Sequence, residues 1–377
     1  MAETHHVYLI PGLFGFAEIG GIRYFHHVRE LLQDWFDAAD APVAFHDVPI
    51  SPAASIRRRA ARVFEWVQGT VTDEGPIHLI GHSTGGLDAR LFVTPSALLE
   101  VDPVELKRLS SRVRTVVTVA TPNYGAPIAA FFSSAMGAQL LKVIALATIY
   151  TMEYGKLPLS AMVGIGRIVT RLDDLIGFRR SVLDQLYDKL LDEFDEDRQR
   201  KIQGYLQSVG DDNDALGQLT PGGIDLLNAA TEDRPGVKYG SVVMRSLKPG
   251  WKTTRSIGFD PYRQASHLLY RFLYGLSGDR VSRYPTPSPQ QASALVDAYG
   301  DVPSADQNDG IVPTRSQLWG ELVYAAEGDH LDVCGHFYDP DHEPPHYDWL
   351  ATGTGFDRPA FESLWSAVTD FMLRPAT

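Results

Sequence analysis

Ile77-His78-Leu79-Ile80-Gly81-His82-Ser83-Thr84-Gly85-Gly86 places a serine between two glycines at the end of an apolar run. A serine hydroxyl is a weak nucleophile. It becomes a strong one beside a base that takes its proton and donors that meet the charge developing on an attacked carbonyl. Gly-x-Ser-x-Gly supplies the geometry where it lies on a sharp strand-to-helix turn. Gly81 and Gly85 remove side chains that would clash around a strained serine backbone, and Gly86 lets the following helix pack close to the sheet. The flanks are of the required kind: turn-rich Gly69 to Gly75, the apolar run Ile77 to Ile80, then Leu87 to Val93 with amphipathic helical spacing. Ser83 is therefore the candidate nucleophile.

Such a serine needs a histidine to carry its proton and a carboxylate to fix that histidine's tautomer and stabilise its charged form. With an elbow of this type, the acid follows the serine in sequence and the histidine comes last. Asp309-Gly310-Ile311-Val312-Pro313 offers a carboxylate before a turn glycine, and the apolar run Leu322 to Ala325 leads into Asp329-His330-Leu331-Asp332. Asp309 and His330 take the two roles. Asp306 is the nearest competing carboxylate, with Asp301, Asp329 and Asp332 behind it. Backbone amides suit an oxyanion hole because they are rigid and always protonated. The Thr84 amide is one donor, and the loop Pro11-Gly12-Leu13-Phe14-Gly15 supplies a second from Leu13. Cys334 lacks an elbow and reads as a packed thiol.

A parallel sheet has to bring these residues together. Up to about Ala126 the expected order is strand Val7 to Ile10, helix Arg23 to Phe36, strand Val43 to Pro49, helix Ser55 to Gln68, strand Ile77 to Ile80, helix Leu87 to Val93 and strand Val113 to Ala120. Apolar runs alternating with amphipathic helices predict an α/β architecture, a mostly parallel sheet covered on both faces, with ligands at the carboxyl ends of its strands. Strand character returns at Val237 to Met244 and Leu322 to Ala325, and Pro359 to Met372 closes the chain as a helix. Between them, Ala129 to Met152 is nearly uncharged and Ile168 to Phe194 carries apolar residues at helical spacing. The organisation expected is a core over 1–126 and 237–377 with an inserted helical cap over 127–236.

Ala129 to Met152 is long enough to raise a membrane span, but its central Lys142 and the polar Ser133, Ser134 and Gln139 favour a groove-covering helix. The cap's inner face, with Phe131, Phe132, Leu140, Leu141 and Ile144, and Phe14 from the first loop, is expected to line an apolar cleft. Gly275 to Asp306, rich in Gly, Pro, Ser and Gln, reads as a long surface connection. Gly164-Ile165-Gly166 lacks the frame of a dinucleotide site.

At 377 residues and 44% hydrophobic content the chain can bury a large core. Its net charge of −13 argues against a nucleic-acid footprint, and Arg57 to Arg59 with Arg62 reads as a solvated helix face. With a single cysteine no internal disulfide forms, and the start of the sequence lacks a secretory pattern, so a cytoplasmic location is expected. His336, Asp339, Asp341, His342, Glu343, His346 and Asp348 read as a polar rim beside the base, since no helix fixes their spacing for zinc.

Pro11 to Gly15, Gly81 to Gly86, Ala120-Thr121-Pro122-Asn123-Tyr124-Gly125-Ala126-Pro127, Gln307 to Pro313 and Asp329 to Asp332 together resemble the landmarks of bacterial triacylglycerol lipases of the α/β-hydrolase superfamily. The resemblance implies Ser83 as nucleophile, Asp309 as acid, His330 as base, and Leu13 and Thr84 amides as oxyanion donors. It also implies a mobile helical lid after Gly125 and ester or lipid substrates with acyl chains. Pro11 stands where those lipases usually carry His, and Thr84 where they often carry Gln. No cofactor is required; a structural calcium through Asp332 is the ion the resemblance raises, with His336 at the position of a further ligand. The function expected is acyl-ester hydrolysis through an acyl-enzyme. Acyl transfer to an alcohol on the same triad is the enzymatic alternative, and a silent binding protein on the same fold is the other.

Overall fold

The computed structural model describes residues 3–13, 18–19, 22–51, 54–170, 181–211, 214–278, 284–343, 345–348 and 350–375. The chain opens with β1 (His5–Ile10), an antiparallel pair β2 (Glu18–Ile19) and β3 (Ile22–Arg23), α1 (Val28–Ala38) and β4 (Val43–Asp47). Next come α2 (Ile56–Thr70), β5 (Ile77–His82), α3 (Thr84–Val93), α4 (Pro103–Ser110) and β6 (Val113–Val119). A helical stretch follows: α5 (Ile128–Phe132), α6 (Ala135–Tyr154), α7 (Leu159–Thr170), α8 (Ser181–Leu191), α9 (Glu196–Asp211), α10 (Asp214–Leu219) and α11 (Pro221–Ala229). β7 (Lys238–Arg245), α12 (Trp251–Ser256), α13 (Pro261–Ser277), α14 (Pro289–Tyr299), β8 (Glu321–Glu327) and α15 (Arg358–Leu373) complete it.

The main sheet has the order β4-β1-β5-β6-β7-β8, with every neighbouring pair parallel. Period-two alternation assigns its faces. Val7 and Leu9 pack with Val28, Leu32 and Phe36 of α1 and Leu364, Trp365 and Val368 of α15. Tyr8 and Ile10 pack on the other face with Val63, Phe64 and Val67 of α2 and Phe92 and Val93 of α3. β5 is buried at all six positions, as a central strand sandwiched between helices must be. The chain moves outward from β1 to β4 and then returns to place β5 on the other side of β1. That reversal opens a crevice at the carboxyl ends of β1 and β5.

α6 is, among the described residues, the one helix long and apolar enough to cross a membrane, yet 61% of its most apolar window is buried inside the protein. The expected single helix over Ala129 to Met152 is two, because Ser134 ends α5's turn and caps α6, accepting from Gly137 N at 3.1 Å. The core of the helical stretch also holds Tyr262, Leu269, Tyr270 and Leu273 of α13, so this layer draws on a helix beyond β7. Of the helical pattern expected over Ile168 to Phe194, residues 171–180 lie outside the described residues.

Two readings are corrected. Gly275 to Asp306 is not one surface connection, because it contains α14 with a complete set of stop and start signals: Ser288 and Gln291 form a capping box, Pro289 is at the first turn, and Gly300 at φ 79° ends it. The arginine run is not wholly solvated, since Arg59 is 1% exposed. It lies three residues from Ile56 and four from Val63 and so shares their buried face.

Candidate active site

Ser83 follows β5 with φ 53° and ψ −126°, a conformation that non-glycine residues rarely adopt and that costs roughly 1–3 kcal/mol. Close packing enforces it. A Cβ on Gly81 would lie 2.3 Å from the Gly85 backbone, and one on Gly85 would lie 2.2 Å from Ile10 O. The loop after β1 sits directly on the serine, since a Cβ on Gly12 would come within 2.6 Å of Ser83 Cβ. Thr84 N opens α3, where no preceding turn offers it an acceptor.

The structure brings Asp309 and His330 together: His330 Nδ1 donates to Asp309 Oδ2 at 2.7 Å, and both side chains are nearly or fully buried. With Nδ1 committed, Nε2 carries the basic lone pair. His330 and Ser83 line the same cavity. Asp309 Oδ1 accepts from Ile311 N at 2.9 Å and Val312 N at 2.7 Å, so the turn after the aspartate fixes its carboxylate. The competing carboxylates are engaged elsewhere: Asp306 with Lys248, Asp301 with Arg245, and Asp329 with Asp332 in a separate cluster.

Groups other than the three candidate catalytic residues hold this pair in place. Gln317 Nε2 donates to Asp309 Oδ2 at 3.1 Å, while its Oε1 accepts from Met244 N. His82 Nε2 lies 2.8 Å from His330 O, which can only accept, so Nε2 carries the proton and Nδ1 accepts from Tyr24 Oη at 2.6 Å. Burial keeps His82 neutral, far below its ordinary pKa, and raises the Tyr24 phenol well above its own. Arg59 forks onto Asp88 in α3, with Nη2 to Oδ2 at 2.7 Å, and also donates to Pro11 O at 2.8 Å. It thereby ties the loop after β1 to the helix after Ser83. Arg59 was readable from its place on the apolar face of α2. Gln317, His82 and Tyr24 left no local signal, because they act across folds of the chain.

The cavity has a volume of about 130 Å³, is open to solvent on one side, and is walled almost wholly by apolar side chains. Leu13, Tyr24, Thr84 and Leu331 surround the reactive groups, and Ile144, Ile149 and Met152 of α6 with Leu216 and Leu219 of α10 make an apolar wall. Phe132, Leu141 and Ile144 line it, as read from the sequence. Phe131 and Leu140 do not. Phe131 packs edge-on against Phe272, and Leu140 is wholly buried in the core between helices, one helical step away from the lining face. Phe14 lies outside the described residues.

Asp332 has hard-oxygen company. Asp329, Asp332 and Asp348 bring carboxylate oxygens within 4.8 Å of one another, and Asp329 Oδ2 and Asp332 Oδ1 are buried with no hydrogen-bond partner among the described residues. Burial, and then repulsion by Asp329, raises the pKa of Asp332 and Asp348 well above the carboxylate range, and burial, opposed by hydrogen bonds to its carboxylate, raises Asp329 to about 7. Such a donor set fits calcium. His336 is not part of it, since its Nε2 is bonded to Tyr24 O at 2.9 Å.

No family model matches the chain. It is 27% identical over 125 residues to a triacylglycerol lipase of Pseudomonas fragi, a match that covers 33% of this chain and 36% of that lipase's own length. In structure it resembles EstA from Clostridium botulinum, with a TM-score of 0.52, 18% identity and coverage of 98% of this chain and 89% of that one. It also resembles Staphylococcus hyicus lipase, with a TM-score of 0.52, 13% identity and coverage of 98% and 95%. The chain has the α/β-hydrolase fold, and its likeness within that fold is to bacterial lipases and esterases.

Proposed function

We propose that this chain is a carboxylic ester hydrolase acting on acyl esters through a covalent intermediate. The observation that carries the reading is the buried Asp309–His330 pair, with His330 and the serine of a strained elbow lining one apolar cavity. Ser83 Oγ bonds the acyl carbon as its proton passes to His330 Nε2, and the amides of Leu13 and Thr84 meet the oxyanion. His330 then gives the proton to the departing alkoxide. Water, deprotonated by the same nitrogen, releases the acid and restores the serine.

The wall of α6 and α10 takes the acyl chain, and α5, α6 and α10 act as the lid over it. Asp329, Asp332 and Asp348 would hold calcium, which cancels their repulsion and stiffens the turn carrying His330. The likeness to lipases and esterases supports an ester as the substrate.

A fluorophosphonate probe tests the chemistry directly. Wild-type protein is expected to take up label at Ser83 and to hydrolyse p-nitrophenyl esters, preferring chains longer than acetyl, while Ser83→Ala does neither. A folded wild-type protein that resists the probe and leaves every ester intact overturns the reading.

A further inference from the structure

Outside the cavity, His26, His27, His336, His342 and His346 gather where the segment after β3 meets the loop after β8. The rings of His26 and His346 stack with centroids 5.3 Å apart and planes 6° apart, and His342 stands edge-on to both, 5.2 Å from His26 and 4.2 Å from His346. The backbone holds these rings in place. Asp339 and His346 exchange hydrogen bonds of 3.0 and 2.9 Å that close the loop, and His26 N donates to Cys334 O at 2.8 Å. Gly335, at φ 91°, lies so close to His26 O that a Cβ there would be 2.0 Å from it.

His26, His342 and His346 each offer one ring nitrogen, and these atoms lie within 4.8 Å of one another. In a tetrahedral zinc site with Zn–N of about 2.0–2.1 Å the ligand nitrogens are about 3.3 Å apart, so side-chain movements of about 1 Å would close the set. His26 Nε2 is buried without a hydrogen-bond partner among the described residues, an arrangement that a lone pair on a metal would resolve. His336 is committed to Tyr24 O and packs beside the set without joining it.

We propose that His26, His342 and His346 form a site for a borderline divalent transition metal, zinc foremost, that staples the loop after β8 to the segment after β3. Imidazole donors separate it from the all-carboxylate cluster at Asp329, Asp332 and Asp348, which suits a hard cation. Its place gives the staple a consequence. Tyr24, two residues before His26, holds His82, which in turn holds His330 O.

The test uses the full chain, purified without immobilised metal, stripped with chelator and titrated with zinc chloride by calorimetry and thermal unfolding. Wild type is expected to bind about one zinc with a saturable rise in Tm. His342→Gln, at a half-exposed position, and His346→Gln are each expected to weaken zinc by about tenfold or more, whereas Asp348→Asn leaves zinc binding unchanged. Zinc binding that is equal in the folded His342→Gln variant, or absent from folded wild type, overturns the site. Neither readout depends on ester hydrolysis, so failure of the hydrolase reading would leave this one standing.

Discussion

Each oxygen of the Asp309 carboxylate accepts two hydrogen bonds: Oδ1 from Ile311 N and Val312 N, Oδ2 from His330 and Gln317. Gln317→Glu tests what the Gln317 donor does, because it keeps the size of the side chain and the acceptor for Met244 N. The exchange puts a second oxygen in front of Asp309 Oδ2, Met244 O and Val312 O, all acceptors. We expect kcat/KM to fall by tenfold or more, about 1.4 kcal/mol, together with a lower Tm. Unchanged kinetics with a lowered Tm would assign Gln317 to stability alone. The elbow was legible in sequence because its strain is local, a serine with glycines two residues either side. Asp309 and His330 were legible by their order and their loops. Gln317 could not be found in this way, since one more polar residue after a turn has no periodicity to mark it.

Between elements, Arg59 joins α2, α3 and the loop after β1, and its pair with Asp88 is fully buried on both sides. Arg59→Leu alone strands the Asp88 carboxylate and is expected to cost about 3–5 kcal/mol, read from chemical unfolding. Combining it with Asp88→Leu removes the orphaned charge and should recover most of that loss. Activity should not recover, because Pro11 O still lacks its anchor and the loop after β1, proposed to present the Leu13 amide to the oxyanion, is no longer tied to α3. A double variant with wild-type kcat would reduce Arg59 to a structural role. The sheet strands could be read from their apolar runs between amphipathic helices, whereas α14 was masked by its turn-rich composition. Its Ser288-Pro289-Gln290-Gln291 start and Gly300 stop were present in the sequence, but Gly, Pro and Ser serve caps and loops alike. The arrangement of α5 to α11 was not legible, because their core is completed by α13 from far along the chain.

Across the whole molecule, buried histidines at the far end of the sheet set the response to acid. His5 and His78 lie near the starts of β1 and β5 with rings 5.1 Å apart and nearly parallel, and His78 Nδ1 is 2.8 Å from Thr115 Oγ1. Burial, and then the charge of His5, pushes His78 down to about 3, and burial holds His46 at about 4. These folded values lie below the unfolded value of about 6.5, so the unfolded chain takes up protons first as pH falls. The stability linked to neutral His78 is thus complete above about pH 6.5 and is lost on acidification, by about 2 kcal/mol at pH 5. Asp329 acts with the opposite sign: raised to about 7, it favours the folded state at low pH and loses that contribution as pH rises from about 4 through 7. Asp88, Asp332 and Asp348, also raised by burial, act as Asp329 does, but the buried histidines with lowered values, His26, His46, His78, His82, His336 and His346, outnumber these four carboxylates, so stability is expected to peak near neutrality and fall more steeply toward pH 5. Urea unfolding from pH 5 to 8 measures the curve, and His78→Gln, which keeps a hydrogen-bonding side chain without a titrating ring, should flatten its acid limb by about 2 kcal/mol. An acid limb of the same slope in both proteins would mean that the ring at position 78 is not kept from its proton by the fold.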